Sequence, residues 1–184
     1  VRVGFRDITL EGGLIRLNGK PLTIRGTNRH DFHALRGRAV TEEDMLADIR
    51  QMKRFNFNAV RSVTYPNAPR WYELCDEWGL LVMSEAAVET HEAGTRFTVD
   101  PSWAERYLER ARRMALQNKN HPSIFCWSLG NEAGIGPNFG AMAQWLREYD
   151  PTRVVHYNAR GASRGMTDFY GDMYPKLAWV RELL

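Results

Sequence analysis

The chain has 184 residues, of which 43% are hydrophobic and 26% charged, and it carries a formal net charge of +3. That is the composition of a folded protein with one sizeable core, and it excludes a disordered chain. Basic and acidic residues are interspersed rather than run together, so neither nucleic acid nor a membrane surface is an expected partner.

In chain order, VRVGFR alternates as a strand does and lacks an initiator Met, so the chain is expected to be a piece of a longer protein. ITLEGGLIRLNGKP reads as a hairpin, with turn signals at Gly12-Gly13 and Asn18-Gly19. Residues 22–26 come next as a strand. A helix is then predicted from Thr41 as N-cap, with Asp44 three residues on and Met45, Ile49, Met52 and Phe55 at helical spacing. The alternation repeats: strand 59–62, helix 69–78, strand 80–86, helix 101–118, strand 123–129, helix 139–149 and strand 153–157. A sixth strand, 167–172, is predicted to lead into a last helix from about Lys176. Both cysteines, Cys75 in a predicted helix and Cys126 in an apolar strand, lack metal-ligand spacing and are expected to be buried free thiols. No apolar run approaches the roughly 18 residues of a membrane span and no signal peptide opens the chain; a cytoplasmic setting is expected, with a periplasmic or secreted one as the alternatives.

Short apolar strands separated by amphipathic helices imply a parallel sheet covered by helices. Six such units average about 30 residues each, and eight would match a (β/α)8 TIM barrel. The expected fold is therefore an incomplete TIM barrel of about six β/α units, occupying residues 21–184, with residues 1–20 the end of a preceding β domain and a hairpin. The rival, a doubly wound open sheet, lacks its usual mark, since Gly26 is followed by Thr-Asn-Arg-His and not by a Gly-rich turn.

In such barrels the strand-to-helix loops converge on one mouth, and that is where chemistry sits. Polar residues gather at these strand ends: Asn28, Arg29 and His30 after the first, Arg61 at the second, Glu85, Glu89 and His91 after the third, Asn131 and Glu132 after the fourth, and Tyr174 after the sixth. Each has an ordinary reading too. Glu132 could be a solvated acid in the first turn of a helix, although Asn131 and the bracketing glycines Gly130 and Gly134 weigh against this. His30 could be a surface histidine, and Glu85 the structural partner a buried Arg61 requires. His121 and His156 are expected to be structural. Among the six tryptophans, Trp127 is the candidate to line the site.

Glu89-Thr90-His91 is a second constellation. If the backbone stays extended there, the Glu and His heads share a face and can converge on one ion beside Glu132. An oxygen-rich shell suits Mg²⁺ and an imidazole shifts the balance toward Mn²⁺ or Zn²⁺, so ligand type leaves the metal open.

Taken together, IRGTNRHDFH (24 to 33), NAVRSVTYPNAPRWYELCDEWGL (58 to 80), AAVETH (86 to 91), NHPSIFCWSLGNEAG (120 to 134) and MYP (173 to 175) resemble the catalytic barrel of bacterial β-galactosidases of glycoside hydrolase family 2. The resemblance implies retaining hydrolysis of terminal β-D-galactosides, with Glu132 as acid/base and Asn131 binding the sugar 2-hydroxyl. It further implies Mg²⁺, or Mn²⁺, on Glu89, His91 and Glu132, substrate contact by His30, and support of the nucleophile by Arg61 and Tyr174. Expected partners are a β-galactoside, the other domains of the parent chain and further copies in a homo-oligomer. Two departures matter. Val63-Thr64-Tyr65-Pro66 replaces the family's usual Ser-His-Tyr-Pro, which loosens the inference to galactose. The family's nucleophile, a second Glu after strand seven, is expected past Leu184, so the isolated chain is expected to be inactive. The alternatives are β-glucuronidase or β-mannosidase, which share the Asn-Glu turn, and a non-catalytic sugar-binding or assembly fragment. Asn28-Arg29-His30 and Glu89-Thr90-His91 favour galactosidase.

Overall fold

The computed structural model describes residues 3–159, 161–171 and 173–182. It opens with a small antiparallel sheet of β1 (Ile8–Glu11), β2 (Leu14–Leu17) and β3 (Lys20–Pro21). Two-residue loops join them, and Gly12, Gly13, Asn18 and Gly19 all take positive φ, as the tight hairpin turns expected at these dipeptides require. This hairpin packs on the back of the main sheet: Ile8, with Ile15 and Leu17, meets Phe125, Cys126 and Val154. The Arg6 guanidinium donates to the carbonyls of Pro122, Ile124 and Thr152.

The main sheet has five parallel strands in sequence order: β4 (Gly26–Arg29), β5 (Ala59–Ser62), β6 (Leu81–Glu85), β7 (Ile124–Ser128) and β8 (Val154–His156). Helices connect them on one side: α1 (Glu42–Arg54), α2 (Pro69–Trp78), a short α3 (Arg96–Val99), α4 (Ala104–Asn118) and α5 (Pro137–Tyr149). A final helix, α6, spans Leu177–Glu182. Among the described residues the sheet does not close, and its edges are β4 and β8.

Local chemistry accounts for the helices. Thr41 caps α1 through a capping box with Asp44, and Met45, Ile49 and Met52 are buried. Pro69 opens α2 and Gly79 ends it in the left-handed conformation. The larger core lies between sheet and helices and gathers Ile49, Trp71, Leu74, Met114, Phe139 and Leu146 of the helices with Val60, Val82, Ile124, Trp127 and Val155 of the sheet.

Three expectations are corrected. The first barrel strand is not 22–26 but Gly26–Arg29, paired Gly26 to Ala59 and Asn28 to Arg61. Asn58 holds the preceding residues instead, accepting from the Arg25 amide and donating to the Thr23 carbonyl. Gly26 suits the start of the ladder because a Cβ there would stand 3.0 Å from the Ala59 carbonyl oxygen. The long helix over 101–118 is a 3₁₀ turn, Pro101–Trp103, followed by α4. The sixth strand is absent among the described residues of 167–172; Asp172 lies outside them. The segment still runs beside β8, but largely through side chains: Asp168 accepts from the Val155 amide and Thr167 from the Tyr157 amide.

Candidate active site

The carboxyl ends of β5, β6 and β7 bring one connected cluster together. Arg61 donates through Nε to Glu85 Oε2 at 2.7 Å and through Nη2 to Asn131 Oδ1 at 2.8 Å. Glu85 is fully buried, and Ser128 donates to the same Oε2 at 2.7 Å. Burial pushes the Glu85 carboxyl above the ordinary range, while Arg61 and Ser128 pull it back. Asn131 passes the connection outward, since its Nδ2 donates to Glu89 Oε1 at 2.8 Å and lies 3.4 Å from Glu132 Oε2. His91 Nδ1 stands 3.6 Å from that same Glu132 oxygen.

The turn carrying Asn131 and Glu132 is held in an uncommon shape. Gly130 has φ of 153°, and a Cβ on it would fall 2.6 Å from the Val88 carbonyl oxygen, so only glycine lets β7 pass this close to the preceding loop. Glu132 itself has φ of 39°. A non-glycine residue there costs on the order of 1 kcal/mol and needs support from around it. Tyr157 supplies it from behind, accepting from the Ala133 amide at 3.2 Å and donating to the Gly134 carbonyl at 2.6 Å. The Asn131 amide is pinned to the Val88 carbonyl, in a parallel bridge between Glu89 and Asn131.

Behind the cluster, inside the curve of the sheet, lies a cavity of about 530 Å³ whose lining includes Asn28, Arg61, His156, Asn158 and Gly171. His156 is buried and stacks on Phe169 with ring centroids 4.8 Å apart. Desolvation, with the Arg61 charge added, holds it down to about 4, so it is neutral at physiological pH.

Other residues expected at the mouth stand apart. Arg29 turns into the protein, bonded to Asp31, Asp48 and Asn67 and lying over the Trp71 ring. His30 is exposed, 5.9 Å from the Tyr65 ring, and Tyr174 is exposed with φ of 54°. Neither is hydrogen-bonded to the Arg61–Glu132 cluster among the described residues. Trp127, the tryptophan expected to line the site, is wholly buried and donates to Asp150. His121 pairs with Asp76 near the opposite ends of the strands. Asn158 and Tyr157 join the site without having been singled out by sequence pattern. The rule that selects the others, a polar residue just past a strand's carboxyl end, also selects Asn158.

The backbone does not stay extended through Glu89-Thr90-His91, because a 3₁₀ turn begins at His91. His91 and Glu132 approach nonetheless. Two carboxylates and an imidazole have the donor chemistry of a divalent cation site. As placed, Glu89 is engaged by Asn131 and by Thr64 Oγ1 at 3.1 Å, and no three His, Cys, Asp or Glu side chains form a metal-holding group among the described residues.

The family model for glycosyl hydrolases family 2, TIM barrel domain, matches residues 8–183. The chain belongs to glycosyl hydrolase family 2. Its five-stranded sheet is accordingly part of a TIM barrel, with β4 to β8 as consecutive barrel strands. Two curated relatives are a β-galactosidase of Vibrio vulnificus (strain YJ016), 51% identical over 177 residues, and one of Klebsiella pneumoniae, 52% identical over 177 residues. Each match covers 95% of this chain, and the chain spans 17% of the length of either relative. A solved β-D-glucuronidase of Dictyoglomus thermophilum superimposes with a TM-score of 0.79 at 27% identity, covering 91% of this chain and 31% of that one. Within the family 2 barrel, no described helix is long and apolar enough to cross a membrane.

Proposed function

We propose that this chain is the acid/base half of a retaining β-galactosidase barrel. The observation that carries the reading is the held turn at the end of β7, which presents Glu132 beside Asn131 with the Arg61–Glu85 pair behind them. A retaining glycosidase works with two carboxyl groups about 5 to 5.5 Å apart. Glu132 protonates the glycosidic oxygen as the bond to the sugar breaks, then takes a proton from the water that releases the glycosyl-enzyme. Asn131 offers its amide to the sugar 2-hydroxyl. The nucleophile is supplied by the parent chain, with Arg61, and Tyr174 from the segment past β8, steadying it. His30 contacts the substrate from the loop after β4.

The galactoside reading rests on the identity of about half to proteins named β-galactosidase, against 27% to the β-glucuronidase. The test is a panel of aryl β-galactoside, β-glucuronide and β-mannoside offered to the full-length protein. Turnover confined to the galactoside is expected, and preference for either of the others would replace the assignment. The full-length protein is the right material because this chain spans 17% of the length of those relatives.

We also propose Mg²⁺ on Glu89, His91 and Glu132, supported by the donor chemistry and by His91 lying 3.6 Å from Glu132. When bound, the cation would supply a fixed positive charge beside the acid/base carboxylate. Exhaustive chelation of the full-length enzyme is expected to lower activity and added Mg²⁺ to restore it. Glu89→Gln should weaken Mg²⁺ affinity by about tenfold or more. Activity indifferent to chelation in wild type and variant alike would remove the metal from the proposal.

A further inference from the structure

Asn158 lies two residues past β8 and is buried, with 4% of its surface exposed. Its Nδ2 donates to Asn131 Oδ1 at 3.0 Å. A carbonyl oxygen has two lone pairs and an amide nitrogen two hydrogens, so the partners of Asn131 can be counted. Both acceptor positions of Oδ1 are filled, by Arg61 Nη2 and Asn158 Nδ2. Both hydrogens of Nδ2 point the other way, to Glu89 Oε1 and, at the longer 3.4 Å, to Glu132 Oε2. Rotating the amide by half a turn would set its NH₂ against two donors and its oxygen against two carboxylates. The orientation is therefore fixed, and Asn158 supplies half of what fixes it on the oxygen side.

Asn158 does so at a cost, since its own Oδ1 is buried without a hydrogen-bond partner among the described residues. An unpaired buried acceptor of that kind calls for an explanation. Turning the Asn158 amide would pair that oxygen no better, because it would then face Asn131 Oδ1.

We propose that Asn158 is a positioning residue for the glycosidase reaction: it holds Asn131 so that Nδ2 is offered to a sugar hydroxyl beside Glu132. The inference rests on the roles proposed for Asn131 and Glu132 in that reaction. The weak 3.4 Å contact to Glu132 is the one a hydroxyl can replace, because the bond to Glu89 is shorter.

The experiment compares an aryl β-galactoside with its 2-deoxy analogue on the full-length enzyme. The readout is the ratio of their kcat/KM values, which does not depend on how much of a variant folds. Asn158→Ala removes the side chain, while the near-isosteric Asn158→Asp keeps its volume but presents only acceptors to Asn131. Both should lower the ratio by about tenfold, the loss expected when one buried hydrogen bond no longer orients its partner. In an Asn131→Ala background, Asn158→Ala should change the ratio no further. If Asn131→Ala lowers the ratio and the Asn158 variants do not, positioning by Asn158 is overturned and the role of Asn131 stands. If Asn131→Ala leaves the ratio unchanged, that role falls and the inference falls with it.

Discussion

Glu132→Gln in the full-length protein is expected to slow hydrolysis of substrates with poor leaving groups by about 10²–10⁴-fold, the usual worth of a positioned proton donor. Substrates whose leaving group departs without a proton should lose far less in their first step. Glutamine matches glutamate in shape and can still meet Asn131, so the held turn from Gly130 to Gly134 should survive the change. The measurement is kcat/KM across aryl galactosides of graded leaving-group acidity. A steepened dependence on leaving group supports the acid role. Equal losses across the series would assign Glu132 to binding or folding instead. The Glu132 side chain is about a quarter exposed, and it meets Asn131 at 3.4 Å and His91 at 3.6 Å. It is mostly buried, so denaturant unfolding of Glu132→Gln decides whether a large uniform loss comes through folding or through substrate binding.

The parts of the fold that can be read from the sequence are those where one local force decides. Thr41 with Asp44, and Pro69 with Gly79, mark helix ends by satisfying or sparing backbone groups, and the helices begin and end there. The strand over 59–62 is legible because apolar residues crowd it. Gly26–Arg29 is not, because its Thr27, Asn28 and Arg29 are polar and pairing with β5 selects it. Phe169 and Tyr170 suggest a strand on the same apolar ground, yet Asp168 and Thr167 turn their side chains to β8 in place of a ladder. For the site, rank order along the barrel is enough to bring Arg61, Glu85, Glu89, Asn131 and Glu132 to one mouth. Direction is harder to read. Adjacent residues at a strand end point to opposite faces, so Arg29 enters the helix layer while Asn28 lines the cavity. The hydrogen-bond sense of Asn131, on which the role of Asn158 depends, is a three-dimensional property that spacing does not carry.

Arg61→Met is expected to have the largest effect on stability. Glu85 has no exposed side-chain surface, and Arg61 has 11%. Removing the guanidinium strands a buried carboxylate, which typically costs about 3–5 kcal/mol. The remaining influences on Glu85 are burial and the charge of Glu89, both of which raise its pKa, against Ser128 alone. A carboxyl whose folded pKa lies above its unfolded value of about 4.3 keeps its full contribution below that pH and loses it as pH rises to the folded value. The penalty of Arg61→Met should therefore be smallest in mild acid, where Glu85 takes up a proton, and should grow toward neutral pH. Adding Glu85→Leu should recover most of the lost stability, since an apolar pair of similar volume tolerates burial. Denaturant unfolding of wild type, Arg61→Met and the double variant at several pH values decides between charge and packing. A pH-independent loss that Glu85→Leu does not relieve would mean that Arg61 stabilises the barrel through its packed side chain, and that Glu85 is already neutral in the native protein.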